Sequence, residues 1–267
     1  MRKLPSALVQ RYVKDIYEAL PLFIKLFLFE FKMRLPIEAL SRGKKAIQKK
    51  RLIHIRSPYG ALICPEDALE TIEEIYGREV YTCVRPLKHD DVVVDVGAHV
   101  GIFTLKAARE AEDGLIVAVE PDPGNFRLLV RNIRANGLDN VIPVQAALWK
   151  EEGTLRLFMA ERTIGHSVKR SSARYIEVRA IRLDDLVAEL GLERVDFIKI
   201  DAEGAELEIL KGAVNTLARY SPFVVMSAYH MPLDPIRLAK FLRKMGYVHA
   251  LIRGHLHALK PPASESR

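Results

Sequence analysis

The chain has 267 residues, of which 49% are hydrophobic, enough to bury a sizeable core without disulfide or metal staples. Its net charge of +7 is uneven: residues 1–56 hold 14 Lys and Arg against 4 Asp and Glu, whereas the remaining residues hold 27 basic and 30 acidic side chains. The basic character therefore belongs to the N-terminal segment, which argues against a nucleic-acid groove running across the body of the protein.

Met1-Arg2-Lys3 is not promptly followed by an apolar run and a small-residue cleavage site, so a cytoplasmic location is expected. The most apolar run is Leu22–Phe31, interrupted by Lys25 and Glu30. It is shorter than the ~20 apolar residues that a spanning helix needs. Three readings are open: packing on the protein's own core or a partner subunit, peripheral insertion into a membrane surface with the flanking Lys and Arg on anionic lipid, or a substrate-docking helix. Ser41–Arg51 is strongly basic and reads as a linker, a phosphate-binding patch or a solvated helix face. Residues 1–51 are thus set apart as a basic and apolar helical extension.

Leu52–Arg56 and Ala61–Cys64 are apolar runs around Ser57-Pro58-Tyr59-Gly60, which predicts a hairpin. Leu69, Ile72, Ile75 and Tyr76 then recur at helical spacing, with Gly77 as the stop. This hairpin and helix, residues 52–90, are expected to cap the domain that follows, 91–267. Cys64 and Cys83 make no framework and read as reduced thiols.

Val92–Val96 is a β-branched run broken only by Asp95, as suits a strand buried on both faces. Gly97, Ala98, His99 and Gly101 form the turn, in the spacing D-x-G-x-x-x-G, and a helix starts at Ile102. Such a strand, glycine turn and helix start lets the backbone approach a ligand. The dinucleotide fingerprint G-x-G-x-x-G fails because His99 stands at its second glycine. Further strands are expected at Leu115–Glu120, Val141–Val144, Val195–Asp201 and Phe223–Ala228, and helices at Gly124–Asn136 and Glu206–Gly212. Alternation of this kind predicts an α/β fold with a mainly parallel sheet and helices on both faces, binding its ligand at the carboxyl ends of the strands. Asp95, Glu120, Gln145 and Asp201 all fall at or near those ends. Glu120, 19 residues beyond Gly101, is placed to accept hydrogen bonds from both hydroxyls of an adenosine ribose. Without a three-glycine turn for a pyrophosphate, S-adenosylmethionine is the expected ligand rather than a dinucleotide.

Val92–Thr104, Val117–Phe126, Asn132–Asn136 and above all Ile198-Lys-Ile-Asp-Ala-Glu-Gly-Ala-Glu-Leu-Glu-Ile-Leu-Lys-Gly212 resemble the FkbM-type S-adenosylmethionine-dependent methyltransferases over about residues 80–250. Asp184-Asp185-Leu186 suits that family's usual L-D-D/E-L element. The resemblance implies a Rossmann-like class I methyltransferase fold and O-methylation of a hydroxyl on a sugar, glycan or small metabolite. It places the cofactor on Asp95, Gly97, Ala98, His99, Gly101, Glu120 and Pro121, with the adenine beside Gln145, Ala146 and Ala147. One departure is Ser227-Ala-Tyr-His230, which keeps the histidine of the fifth strand without the family's preceding glutamate.

Transfer to oxygen needs positioning and a base for the hydroxyl proton. Asp201 is the first candidate, followed by His230 and Glu203. The carboxylates of Asp201, Glu203 and Glu206 leave a divalent metal open, although no residue is assigned as a ligand. Glu203 and Glu206 can equally serve the N-terminus of the next helix. His166 is a candidate for a substrate loop, and Trp149 and Tyr229 for a pocket wall. Oligomerisation is also open. Two rivals are an RNA methyltransferase using the basic extension and a non-catalytic, membrane-associated binding protein that retains the fold.

Overall fold

The computed structural model describes residues 51–158, 174–230 and 233–261. The expectations for Leu22–Phe31, Ser41–Lys50 and His166 lie outside the described residues.

The first element is the expected hairpin: β1 (Leu52–Ser57) pairs antiparallel with β2 (Gly60–Pro65), with Ser57 opposite Gly60. The helical stretch follows as a 3-10 turn, a short α1 (Leu69–Ile72) and a π turn over Glu73–Gly77. Ile53, Ile55, Leu62 and Cys64 share one apolar cluster with Phe103, Leu105 and Leu129 of the body. The outer edge of β2 is held by two asparagines, Asn132 within the helix Pro123–Ala135 and Asn136 at its C-cap. Asn132 Oδ1 accepts the Ile63 N–H at 2.8 Å, and its Nδ2 donates to the carbonyls of Ile63 and Val100. Asn136 repeats the pairing on Ala61. A strand edge left with free N–H and C=O groups is thereby satisfied by side chains. Cys64 is buried and Cys83 exposed, and both thiols are free.

The body alternates strand and helix as expected. It runs β3 (Val92–Val96), α2 (Ile102–Glu110), β4 (Leu115–Val119), α3 (Pro123–Ala135), β5 (Val141–Val144), β6 (Ala147–Leu148), β7 (Gly153–Phe158), β8 (Tyr175–Ile181), α4 (Leu183–Glu189), β9 (Phe197–Ile200), α5 (Glu206–Lys211), α6 (Val214–Tyr220), β10 (Phe223–Ser227), α7 (Asp234–Lys244), β11 (Val248–Ile252) and β12 (His255–Leu259). The central sheet has the order β11-β12-β10-β9-β3-β4-β5. β10, β9, β3, β4 and β5 are mutually parallel, and only β12 runs against its neighbours. β3 and β4 are apolar on both faces because both are covered. Val93, Ile116 and Ala118 pack with α2 and α3, whereas Val94, Val117 and Val119 pack with Ile209, Leu217 and Leu238 of α5 to α7.

Two parts were not visible as apolar runs. β6, β8 and β7 form a small separate sheet, and β7 alternates with mostly exposed positions. β12 reads as polar from His255 and His257, yet both imidazoles are buried.

The chain order reverses between β3 and β9: β4 and β5 extend the sheet on one side, β10 on the other. Ligands of open parallel sheets bind at this switch point, outside the carboxyl ends of the strands.

Candidate functional site

The turn after β3 is shaped by two glycines. Gly97 has φ +72°, and a Cβ there would stand 1.9 Å from the Asp201 carbonyl oxygen, so the loops after β3 and β9 touch backbone to backbone. Gly101, at φ +95°, is the left-handed residue from which α2 starts. The N–H groups of Gly97 and Ala98 both donate to the Val119 carbonyl, tying the turn to the end of β4.

Asp95 lies beneath the turn. It is fully buried, with Oδ2 accepting the Thr104 hydroxyl at 2.6 Å and Oδ1 paired with Lys199 Nζ at 2.9 Å. The same ammonium donates to the Gly97 carbonyl at 2.8 Å and the Val96 carbonyl at 3.2 Å. Asp95 thus holds the turn from behind.

A cavity of about 450 Å³ opens over these strand ends. One side carries Gly97, Ala98, His99, Glu120, Pro121 and Asn125, with Ala146, Ala147, Leu148 and Leu157 as its apolar wall. The lining also includes Asp201, Glu203, Tyr229 and His230, together with Glu70 and Glu74 of the cap helix. Most of the sequence-derived candidates thus share one space. Gly101 and Gln145 do not line it, Gln145 being exposed on the outside. Trp149 packs against the core beneath α5 and α6 instead. Tyr229 does line the cavity.

Glu120 is 5% exposed. Its Oε2 accepts the His99 N–H at 2.8 Å and its Oε1 the Asp122 N–H at 2.9 Å. Burial outweighs these two bonds and pushes its pKa up to about 7. Each oxygen has accepted one donor and keeps a second lone pair, the arrangement that a vicinal diol such as a ribose requires. The cavity volume suits a nucleoside-sized ligand, and the leucine wall suits a purine face. The residues present fit S-adenosylmethionine.

In the same cavity His230 gathers three carboxylates. Its Nδ1 lies 2.8 Å from Glu206 Oε1, and its Nε2 lies 3.5 Å from Asp201 Oδ1 and 3.7 Å from Glu203 Oε2. Burial works to lower the imidazole pKa, but the Glu206 hydrogen bond and the charges of Asp201, Glu206 and Glu203 prevail and raise it to about 9. The ring is therefore protonated at neutral pH. Asp201, despite burial, is held below the usual carboxylate range by the Lys199 and His230 charges and by the Tyr81 hydrogen bond. His99 and Glu203 line the cavity with positive φ, +54° and +51°, local strain of the kind that collects at working sites.

Several lining residues have little signal in the sequence. Tyr81, which supports the site from behind by donating its hydroxyl to Asp201 Oδ2 at 2.8 Å, sits in an irregular loop after Gly77. Glu70, Thr71 and Glu74 could have been found, since they share the polar face of the helix whose apolar face was recognised. Lys199, between Ile198 and Ile200, is 3% exposed and lines the cavity.

Strand order, switch-point cavity and a carboxylate at the end of β4 define the class I S-adenosylmethionine-dependent methyltransferase fold. Residues 95–248 match the methyltransferase FkbM domain, and the chain belongs to that family. It is 29% identical over 200 residues to the hexuronic acid methyltransferase AglP of Haloferax volcanii, covering 70% of this chain and 81% of AglP. It is 26% identical over 239 residues to the 31-O-demethyl-FK506 methyltransferase FkbM of Streptomyces tacrolimicus, covering 75% and 87%. The crystal structure of methyltransferase FkbM from Methylobacillus flagellatus superposes with a TM-score of 0.52 at 18% identity, covering 72% of this chain and 53% of that one. The chain spans 65% and 66% of the length of two further relatives that it matches. Among the described residues no helix is long and apolar enough to cross a membrane.

Proposed function

We propose that this protein transfers a methyl group from S-adenosylmethionine to a hydroxyl oxygen on a sugar, glycan or small metabolite. The observation that carries the reading is the pairing, across one cavity, of a diol-accepting carboxylate at Glu120 with the Asp201, Glu203 and His230 cluster. The names of AglP and FkbM, a hexuronic acid methyltransferase and a demethyl-macrolide methyltransferase, support hydroxyl-bearing acceptors.

When bound, the cofactor supplies an electrophilic methyl group: the acceptor oxygen forms the new C–O bond as the C–S bond breaks, its electron pair staying on sulfur. The protein's share is positioning and proton removal. Glu120 fixes the ribose, the Gly97–His99 turn supports the amino-acid end, and Leu148 and Leu157 exclude water around the base. Asp201 and Glu203 face the acceptor and take its proton. His230 carries a proton of its own at neutral pH, so its part is to hold these carboxylates in place rather than to act as the base.

Calorimetry with S-adenosylmethionine, followed by transfer of labelled methyl groups to a panel of glycans and metabolites, tests the reading. The expected result is a single binding site and base-stable label on an ether oxygen. No binding at millimolar cofactor would overturn it.

A further inference from the structure

We infer that the acceptor end of the cavity is a divalent-cation site, with Asp201, Glu206 and His230 as protein ligands. The inference rests on the methyl-transfer reading for its purpose, not for its test. One donor atom from each of the three residues lies within 4.8 Å of the others. Ligands on one ion at 2.0–2.6 Å are spaced by ~3 Å when adjacent and by ~4–5 Å when opposed, so the three fit around a single centre.

Two buried oxygens point to such a centre independently. Glu206 is 1% exposed. Its Oε1 accepts the N–H groups of Ala202 and Gly204, at 3.1 and 3.2 Å, besides lying against His230 Nδ1. Its Oε2 is buried with no hydrogen-bond donor. Asp201 is similar: Oδ2 accepts the Tyr81 hydroxyl, while Oδ1 is buried with only His230 Nε2 beside it, at 3.5 Å and outside hydrogen-bond geometry. Buried carboxylate oxygens rarely go unsatisfied, and one cation satisfies both.

The histidine is also arranged for ligation. Its two nitrogens lie against Glu206 and Asp201, and a bound ion would take the place of one ring proton, which is released on binding. Two carboxylates and one imidazole suit Mn²⁺, Mg²⁺ or Zn²⁺ better than softer ions. The ion would turn a cluster of three carboxylates into a site that binds an alkoxide-forming hydroxyl, or a second oxygen beside it. With Asp201 committed to the ion, Glu203 remains to take the hydroxyl proton.

The test is a Mn²⁺ titration of the full chain, with unbound Mn²⁺ read by electron paramagnetic resonance and no cofactor or acceptor present. One saturable site per chain is expected. Asp201→Asn and Glu206→Gln should each weaken it at least about tenfold, whereas Glu208→Gln on the outer face of α5 should not. Nitrogen modulation in the spin-echo spectrum of wild-type protein with Mn²⁺ should report the imidazole, and this readout needs no variant to fold. Absence of saturable binding, undiminished binding in both carboxylate variants, or a bound ion without nitrogen coupling would each overturn the site. The two readings fail separately: loss of the cation site leaves S-adenosylmethionine binding intact, and a chain that binds Mn²⁺ but no cofactor refutes methyl transfer alone.

Discussion

Glu120 gives the most quantitative check on the cofactor reading, because one side chain controls both a binding energy and a pH dependence. Its pKa is about 7, raised from 4.5 chiefly by burial. The folded state therefore holds this proton more tightly than the unfolded chain. Its contribution to stability is fully present below pH 4.5 and is lost as pH rises to about 7. At ~1.4 kcal/mol per pKa unit, wild type should lose about 3 kcal/mol relative to Glu120→Gln across that window. Binding runs the other way. The ionised form accepts the two ribose hydroxyls, so the cofactor displaces a proton from Glu120 when it binds near or below pH 7. At pH 6 roughly a tenth of the side chain is ionised and at pH 8 roughly nine tenths, so affinity should rise about tenfold between them. Glu120→Ala removes two charge-assisted hydrogen bonds and should weaken binding by about 3 kcal/mol, or ~100-fold. Isothermal titration calorimetry at pH 6, 7 and 8, in buffers of different ionisation enthalpy, measures affinity and proton release together. Glu120→Gln is the control, and its affinity should be nearly flat over the same range. Wild-type affinity that is flat or falls with pH, or a Glu120→Ala variant that binds normally, would refute the ribose contact.

Three further outcomes follow from the geometry around the turn. Gly97→Ala puts a methyl group 1.9 Å from the Asp201 carbonyl at a left-handed φ; the loops must separate, at a cost of roughly 3 kcal/mol or more, and an unchanged melting temperature would contradict the contact. Lys199→Met leaves the Asp95 carboxylate buried beside Thr104 alone; urea denaturation should show a loss of ~3–5 kcal/mol, part of it recovered by adding Asp95→Asn. Asn132→Ala strips three hydrogen bonds from β2 and the Val100 carbonyl; a destabilisation of about 2–4 kcal/mol is expected, with amide exchange accelerating first at residues 61–65. Uniform acceleration across the sheet would show that the asparagine does not hold the hairpin locally.

The strands of the body were legible because a sheet covered on both faces needs nearly continuous apolar runs, and Val92–Val96 (broken only by Asp95), Leu115–Val119 and Phe223–Met226 have them. The hairpin was legible from turn chemistry. What could not be read is whatever depends on pairing across the chain. The motif Lys199-Ile-Asp-Ala-Glu-Gly-Ala-Glu206 marked a functional stretch, but its spacing does not say that Lys199 pairs with Asp95 or that Lys199 and Asp201 share the cavity lining. The periodicity of β9 places alternate residues on opposite faces, and the sheet is buried on both, so burial pattern alone is silent on which face reaches the ligand.

The same limit explains Asp95 and His230. From sequence, Asp95 stands beside the glycine turn and is easily taken as a ligand residue. In the fold it neutralises Lys199, and that ammonium grips the carbonyls of Val96 and Gly97, so Asp95 supports the backbone of the turn and is not among the residues that line the cavity. His230 stands at a strand end with an ordinary pKa in the right range for a base. The fold then surrounds it with Asp201, Glu203 and Glu206, contributed by a different loop, and these charges reverse its protonation state at neutral pH. Residue type and position on a strand are local properties, whereas proton affinity is set by every charge within a few ångströms. A sequence motif can therefore name the members of a site well before it can assign their chemistry, and at this site the three carboxylates around one imidazole decide it.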